Sequence, residues 1–373
     1  MMRVFEGTSN VRAAILEANK ARAFSSNPEV EAIVRDVCDA VASRGDEALL
    51  EYTRKFDCAT MGLEQIRVTT DEIEAAYNAL APEAREALER AAHNIEVFHS
   101  RQSVPDWSFT SSEGALLGQR YTAIERVGIY APNGRAAYPS TVLMLGVPAR
   151  VAGVKEIALA TPAGPDGQAN PTILAAAKIA GISEIYKIGG AVAMAAFAYG
   201  TDSVARVDKL VGPGSIYLTL AKKYLYGIVG IDGLYGPSEV TILADEGARP
   251  AQVAADLIAQ AEHGSDSFVC LITASARIAA DVQAEIQAQL LGSPRAKILS
   301  ESLQGGLIGI ADSLSDACVL SDLTASEHVE IWSRDAFALS TKISNAGAIF
   351  LNTPVPLGDY IAGPSHTLPT GAT

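Results

Sequence analysis

Up to about Gln102, apolar side chains recur at three- and four-residue intervals. This spacing predicts helical stretches over residues 28–56 and 70–98. Breaks in the pattern are indicated at Ser43-Arg44-Gly45-Asp46, within the first stretch, and at Thr70-Asp71, where the second begins. Amphipathic helices need another apolar surface to cover their buried face. We therefore expect this segment to pack against the rest of the chain.

From Arg126 onward the pattern changes to short β-branched runs that alternate with alanine-rich helical stretches. Alternation of strand and helix at this spacing predicts a parallel α/β sheet. The runs that we assign to strands are residues 127–130, 157–160, 185–188, 207–211 and 228–231.

A second series of runs follows the Gly236-Pro237 break, with helices predicted over residues 250–261 and 275–291. Its strands are predicted over residues 240–244, 268–272, 307–310 and 348–351. Two Rossmann-like three-layer α/β units with parallel sheets, plus the N-terminal helices, fit this order better than one continuous sheet. We expect one discontinuous domain from residues 1–125 and 237–373, and a second from residues 126–236.

Composition supports a folded chain and excludes some partners. Of 373 residues, 49% are apolar and 19% are charged, which is enough for a sizeable core. The net charge of −14 should repel nucleic acid and anionic lipid, so we expect neither as a partner.

The N-terminus has no apolar run long enough for an export signal, and the longest apolar stretch, residues 141–149, contains Pro148. We therefore expect a cytoplasmic protein. The four widely spaced cysteines form no CxxC pair and are predicted to be reduced core residues; they are Cys38, Cys58, Cys270 and Cys318.

The last third of the chain holds three of the five histidines, each beside a group that can bind a metal or move a proton. Gln260 and His263 lie three residues apart at the end of the predicted 250–261 helix, so both can face one metal ion. The alternative is that His263 caps the helix carbonyls or is simply solvated.

Glu327-His328 follows Thr324-Ala325-Ser326, which has the composition of a helix N-cap. We expect the pair in the first turn of a helix that runs to about Ala336, where the helix dipole keeps the imidazole neutral and able to act as a base. The alternative is a capping box between Thr324 and Glu327, with His328 exposed.

Asp359 and His366 lie in a glycine- and proline-rich segment after the 348–351 strand. Loops that follow the carboxyl ends of strands usually carry the chemistry of α/β enzymes, so we expect a functional role here. Glycine-rich turns also follow three strands, at Gly134, Gly189-Gly190 and Gly212-Pro213-Gly214, but none forms a GxGxxG fingerprint.

Taken together, these segments resemble the histidinol dehydrogenase family over essentially the whole chain. The motifs that carry the resemblance are Val127-Gly128-Ile129-Tyr130-Ala131-Pro132, Ala137-Tyr138-Pro139-Ser140-Thr141-Val142-Leu143-Met144, Gly236-Pro237-Ser238-Glu239-Val240, Gln260-Ala261-Glu262-His263-Gly264, Glu327-His328, Gly358-Asp359-Tyr360 and Leu368-Pro369-Thr370-Gly371. The resemblance implies a zinc- and NAD-dependent enzyme that oxidises L-histidinol through L-histidinal to L-histidine.

By the same resemblance, the discontinuous domain carries the zinc and catalytic residues, and residues 126–236 contribute the NAD contacts. His328 is implied as general base and substrate contact, and Glu327 as the group that activates water. The other implied roles are zinc and substrate contacts for Gln260, His263 and Asp359, substrate contacts for Ser238 and His366, and an NAD contact for Tyr130. A homodimer is also implied.

The chain departs from the family pattern at the cofactor site and at its end. Val192 and Ser215 stand where the family has Gln and Asn, and the sequence ends at Thr373, before the helical tail that follows Leu-Pro-Thr-Gly in the family. Three hypotheses remain: histidinol dehydrogenase itself, a paralogous zinc- and NAD-dependent dehydrogenase of another small polar alcohol, or a non-catalytic descendant that binds a ligand.

Overall fold

The structure is a computed structural model that describes residues 1–22, 27–133, 137–291, 293–355, 358, 361–364 and 367–371. The chain divides into two compact units. The first unit comprises Met1–Ser26, Tyr235–Asp359 and Leu368–Thr373, and the second comprises Asn27–Leu234 and Tyr360–Thr367.

The strands are short and are distributed over both units. In chain order they are β1 (Arg3–Glu6), β2 (Trp107–Thr110), β3 (Leu116–Gln119), β4 (Arg126–Tyr130), β5 (Glu156–Ala160), β6 (Glu184–Tyr186), β7 (Lys209–Val211), β8 (Gly230–Ile231), β9 (Glu239–Ala244), β10 (Phe268–Thr273), β11 (Leu307–Ile310), β12 (His328–Trp332) and β13 (Ala348–Leu351).

The helices connect these strands and cover the sheets. In chain order they are α1 (Thr8–Arg22), α2 (Pro28–Arg44), α3 (Asp46–Phe56), α4 (Thr70–Ala79), α5 (Pro82–His99), α6 (Pro139–Val151), α7 (Pro171–Ala180), α8 (Gly190–Tyr199), α9 (Ile216–Leu225), α10 (Pro250–Ala261), α11 (Ala276–Leu290), α12 (Ala296–Gly305), α13 (Leu314–Thr324) and α14 (Ala336–Ser340).

The sheet of the first unit has the order β1-β11-β10-β9-β12-β13, with every described pair of strands parallel. Helices α10, α11 and α12 cover one face, and α1 and α13 cover the other. Because both faces are covered, β9 and β10 are buried along their whole length and are mainly apolar on both faces rather than alternating.

The sheet of the second unit has the order β6-β5-β4-β7-β8 and is also parallel. Apolar residues of α2 and α3, such as Val34 and Leu49, share a core with Phe197 of α8. Residues of α4 and α5, such as Ile73 and Ile95, pack on the other face with α6 and α7.

The two parallel three-layer units confirm the predicted α/β class. The domain boundaries differ from those that we expected, because residues 27–125 belong to the second unit rather than to the unit that contains residues 237–355. The reason is that α2 to α5 are the helices that cover both faces of the β4–β8 sheet. Periodicity identified these helices as amphipathic, but it could not indicate which sheet they cover.

Several elements differ from their predicted form. Gly45, with φ of 55°, separates α2 from α3 at the break that was predicted over residues 43–46 of the 28–56 stretch. The break at Leu80 and Ala81, followed by Pro82, divides the 70–98 helix into α4 and α5. The edge strand β1 and the antiparallel β2–β3 hairpin were not predicted.

All four cysteines are buried free thiols, as predicted. Burial raises the pKa of both Cys38 and Cys270 to about 12, so these thiols stay protonated and unreactive. Within the described ranges, none of the helices has the length and apolar character that a membrane crossing requires.

Candidate active site

The pairing of β9 with β12 brings two carboxylates and a histidine to one edge of the first sheet. His328 opens β12 and lies beside Val240, so Glu327 lies beside Glu239 at the start of β9. These residues come at the amino ends of their strands, whereas we expected chemistry in the loops that follow the carboxyl ends.

The prediction of a helix that begins at Glu327-His328 is wrong. Helix α13 ends at Thr324, Ala325 closes it with a left-handed conformation (φ 44°), and His328 then begins a buried strand. The residues that resembled an N-cap are thus the exit from the preceding helix. A helix N-terminus therefore does not set the protonation of His328.

Glu327 and His328 are both buried, at 6% and 5% exposure. Glu327 Oε2 lies 3.8 Å from His328 Nδ1, and the imidazole contacts the Phe350 ring with the centroids 5.7 Å apart. A carboxylate at this distance stabilises the imidazolium that forms when the histidine takes up a proton. The pair therefore has the composition and spacing of an acid–base pair.

The backbone and side chains of Glu239 and Glu327 bind each other reciprocally. The Glu239 N–H donates to Glu327 Oε2 over 3.1 Å, and the Glu327 N–H donates to Glu239 Oε2 over 3.4 Å. Glu239 Oε1 also forms an ion pair with Arg22 Nη1 and accepts from the Gly371 N–H, both over 2.9 Å. Burial raises the pKa of Glu239, and the Arg22 charge opposes that rise.

Helix α10 has the predicted bounds and places Gln260 and His263 at its C-terminal end. Gln260 is 5% exposed, and its amide nitrogen has no hydrogen-bond partner within the described part of the chain. His263 is exposed, and its Nδ1 lies 3.0 Å from the Ala259 carbonyl. If that nitrogen donates, Nε2 carries the lone pair that a metal ion requires.

These two residues lie at the same edge of the sheet as His328. The turn after α10 leads into β10, which begins at Phe268 opposite Glu239. Ser238, half-buried, precedes Glu239, and its carbonyl accepts from the Phe268 N–H over 3.1 Å. The structure thus brings five of the predicted site residues to one edge: Ser238, Gln260, His263, Glu327 and His328.

The donors fit zinc in part. An imidazole tied by one nitrogen can bind a metal ion through the other, and Gln260 would bind one through its amide oxygen, although Gln is an unusual zinc ligand. In the ranges that the structure covers, no three His, Cys, Asp or Glu side chains are grouped to hold a metal. The third predicted ligand, Asp359, and the predicted substrate contact His366 lie outside the described residues.

A second pair of buried carboxyl groups was missed by the sequence reasoning. Asp256 precedes Gln260 by one helical turn, and Glu330, two residues after His328, is fully buried. Burial raises the pKa of Asp256 to about 6, and burial together with the Asp256 charge raises that of Glu330 well above its usual range. The raised pKa favours the protonated form of Glu330, which can donate a hydrogen bond to Asp256.

In the second unit, Tyr130 ends β4 beside the glycine-rich turn that begins α8. Its hydroxyl accepts from the Gly190 N–H over 3.1 Å, and burial raises its pKa to about 12. The adjacent Gly189 N–H donates to the carboxylate of Asp57. The N-terminus of α8 therefore already holds an anion that the chain supplies.

The two positions that depart from the family pattern differ in environment. Val192 is buried in the first turn of α8, within the core shared with α2 and α3. Ser215 is exposed at the N-cap of α9, where its side chain makes no capping bond. Only Ser215 offers a polar group to a ligand.

Two parallel three-layer units, one with a buried carboxylate–imidazole pair beside potential metal donors, are typical of an α/β enzyme that moves protons. Comparison with known proteins gives the class. The sequence profile described as Histidinol dehydrogenase matches residues 20–373. The chain therefore belongs to the histidinol dehydrogenase family, whose members are oxidoreductases that oxidise L-histidinol in histidine biosynthesis.

Individual relatives support the same assignment. A histidinol dehydrogenase of Synechococcus sp. is 50% identical over 344 residues, which cover 91% of this chain and 79% of that protein. One of Thermosynechococcus vestitus is 46% identical over 374 residues, covering 99% and 86%. The crystal structure of histidinol dehydrogenase from Elizabethkingia anophelis superposes with a TM-score of 0.93 at 38% identity, covering 100% of this chain and 85% of that one.

The Asp57 carboxylate gives a pH-dependent stability. Burial raises its pKa to about 6 in the folded protein, against about 3.9 in an unfolded chain. The folded state therefore binds more protons between these values, and stability falls as the pH rises through that window. Asp57→Asn removes the buried charge, and its amide oxygen can still accept from the Gly189 N–H.

We expect the difference in thermal unfolding midpoint between Asp57→Asn and the wild type to increase from pH 4 to pH 6. Above pH 6 this difference should stay constant. The exposed Asp202→Asn serves as the control and should show a constant difference across the same range. A constant or shrinking difference for Asp57→Asn would mean that the Asp57 charge is not destabilised by burial.

Proposed function

We propose that this chain is a zinc-containing, NAD-dependent histidinol dehydrogenase that converts L-histidinol to L-histidine through L-histidinal. The observation that carries the proposal is the buried Glu327–His328 pair, which shares its sheet edge with Gln260, His263 and Ser238. The family's reaction needs a base for an alcohol proton and a base for water, and this edge supplies one candidate for each.

In the first oxidation, His328 takes the hydroxyl proton of the alcohol. Loss of this proton lets a hydride leave the same carbon as the carbon–oxygen bond becomes a carbonyl, which yields the aldehyde; bound NAD would accept the hydride, and the proton stays on His328. Glu327, 3.8 Å from Nδ1, stabilises the positive charge on the imidazole while it holds that proton. Burial of both groups strengthens this interaction, because little water screens it.

In the second oxidation, Glu327 takes a proton from water as the water oxygen adds to the aldehyde carbon, and His328 gives the proton that it holds to the carbonyl oxygen, which forms the neutral hydrate and frees the imidazole. His328 then takes a hydroxyl proton from the resulting hydrate, and a second hydride leaves the carbon to give the carboxylic acid. The balance is two NADH for each histidinol consumed. Glu327 and His328 each act on a different proton, so the second oxidation needs both residues.

Bound zinc would orient the polar nitrogens of the substrate, and bound NAD would accept the hydride. We assign zinc to Gln260, His263 and Asp359, and a substrate contact to His366; Asp359 and His366 are proposed from the family resemblance alone. Tyr130 is the proposed NAD contact, since its hydroxyl lies at the Gly190 turn at the end of a parallel strand. Val192 offers no polar contact to the cofactor.

A second copy of the chain is the partner that we propose. The β2–β3 hairpin forms a separate two-stranded sheet whose residues are all exposed. Trp107 and Phe109 stack on it with ring centroids 6.2 Å apart, and Leu116 is 77% exposed. An isolated apolar hairpin is marginally stable in water and is typical of a surface that another chain covers.

We also propose a cytoplasmic location, because the four cysteines form no disulfide bonds and free thiols are usual in a reducing compartment.

His328→Asn should abolish the acid–base chemistry while leaving a side chain of similar polarity. We expect its turnover of L-histidinol to fall by roughly 10²-fold to 10⁴-fold. His99→Asn changes a buried histidine of the other unit and should retain turnover and two NADH per histidinol. Undiminished turnover in His328→Asn would refute the role of His328. Faster turnover of another polar alcohol by the wild type would favour a paralogous dehydrogenase.

His263→Ala should lower the zinc content of the purified protein, since it removes a proposed ligand. The measurement is bound zinc per chain after dialysis against metal-free buffer, which needs no activity. Glu262→Gln changes the neighbouring side chain, which faces Arg295 across 3.7 Å, and should retain the metal. Equal zinc content in the wild type and His263→Ala would show that His263 is not a ligand.

The double substitution Phe109→Ser and Leu116→Ser should weaken the proposed dimer. We expect light scattering after gel filtration to give a smaller mass for this variant than for the wild type at equal concentration. Leu291→Ser changes an apolar residue that is 84% exposed outside the hairpin and should leave the mass unchanged. An unchanged mass for the hairpin variant would exclude this surface as the interface.

A further inference from the structure

The geometry points to Glu239 as a positioning residue that, with Arg22 as its buried counter-ion, holds the Glu327 carboxylate beside His328. This inference rests on the proposed function, because it gives Glu239 its role through Glu327. Neither Glu239 nor Arg22 carries a proposed contact to the substrate, zinc or NAD. Their effect on the reaction would therefore be indirect.

The first support is the bonding of Glu239 itself. It is 2% exposed, and its carboxylate accepts from the N–H groups of Glu327 and Gly371 and forms an ion pair with Arg22. Its own N–H donates to the Glu327 carboxylate over 3.1 Å. One residue thus fixes both the backbone and the side chain of Glu327.

The second support is that Arg22 is held in place by contacts besides Glu239. Its Nη2 donates to the Thr324 carbonyl over 2.7 Å, at the C-terminal end of α13. Its guanidinium lies 3.8 Å above the centre of the Phe268 ring. Because these two contacts hold the guanidinium in place, its charge fixes the position of the Glu239 carboxylate.

The third support is the charge balance. Glu239 and Glu327 would repel each other if both were ionised and buried without a cation. Arg22 supplies that cation, and it forms its ion pair with Glu239. Glu327 can therefore stay ionised and directed at the imidazole, as a group that takes a proton from water must be.

Removing one charge of the pair disturbs this arrangement in a definite way. Without the Glu239 charge, Arg22 is a buried cation with no compensating carboxylate and competes with His328 for Glu327. Without the Arg22 charge, two buried carboxylates face each other and one takes up a proton. Removing both charges leaves the net charge near Glu327 unchanged, since a buried ion pair can often be replaced as a unit.

The test uses the full-length chain and measures the two oxidations separately. The first is NADH formation from L-histidinol in a single turnover, and the second is steady-state oxidation of supplied L-histidinal. For Glu239→Gln we expect kcat with L-histidinal to fall roughly tenfold or more, with KM unchanged and the first oxidation far less affected. We expect the same selective loss in Arg22→Met.

The double variant Arg22→Met with Glu239→Gln should oxidise L-histidinal faster than either single variant. Arg22→Lys keeps the charge and should retain more of the second oxidation than Arg22→Met, which provides a test should Glu239→Gln fail to fold. Glu184→Gln is the control: it disrupts the Arg126–Glu184 pair of the second unit, bonded over 3.0 Å, and should leave the ratio of the two rates unchanged.

Equal loss of both oxidations, additive losses in the double variant, or normal rates in Glu239→Gln would each overturn the inference. Glu327→Gln separates this failure from failure of the proposed function. If Glu327→Gln oxidises L-histidinal normally, the proposed role of Glu327 is wrong. If Glu327→Gln is slow while Glu239→Gln is normal, the role of Glu327 stands and only the positioning by Glu239 is refuted.

Discussion

The parallel pairing of β9 with β12 is the constraint on which the candidate active site depends. It places His328 beside Val240, and so Glu327 beside Glu239, at a fixed register that the covered faces of the sheet enforce. If the β9–β12 pairing shifted by one residue, His328 and Glu330 would point to the opposite face of the sheet. Val329 and Ile331 would then face α10. The position of the Glu327–His328 pair is therefore a consequence of how the first unit buries its central strands.

That burial requires compensation for every charge at the edge. Arg22 neutralises Glu239, the two glutamates share backbone hydrogen bonds, and a raised pKa favours the protonated form of Glu330 beside Asp256. A polar network of this kind is useful only when its members are satisfied together, because a single unpaired buried charge is costly. The N-terminal helix, which ends at Arg22, is thus part of the same arrangement as the strands that carry the chemistry.

The sequence was sufficient for features that local patterns determine. The bounds of α10 followed from its periodicity and from Pro250, and the predicted runs became parallel strands because both sheets are covered. It failed at β12, where Thr324-Ala325-Ser326 resembles a helix start and only pairing with β9 decides otherwise. Arg22 and Glu239 are 217 positions apart, so no spacing rule could have joined them. Tertiary contacts, rather than propensity, determine these parts of the site.

The edge of the sheet at which these residues lie also indicates the charge of the ligand that each unit can bind. Strands run antiparallel to their helices in such units, so the amino edge of a sheet receives helix C-termini, which carry partial negative charge. At that edge α10 presents Gln260 and His263, and α13 already binds a cation, Arg22, through the Thr324 carbonyl. At the carboxyl edge of the second sheet, the N-terminus of α8 binds an anion, Asp57. A zinc ion at the first edge therefore agrees with the field of the surrounding helices, whereas a phosphate at α8 would have to displace Asp57.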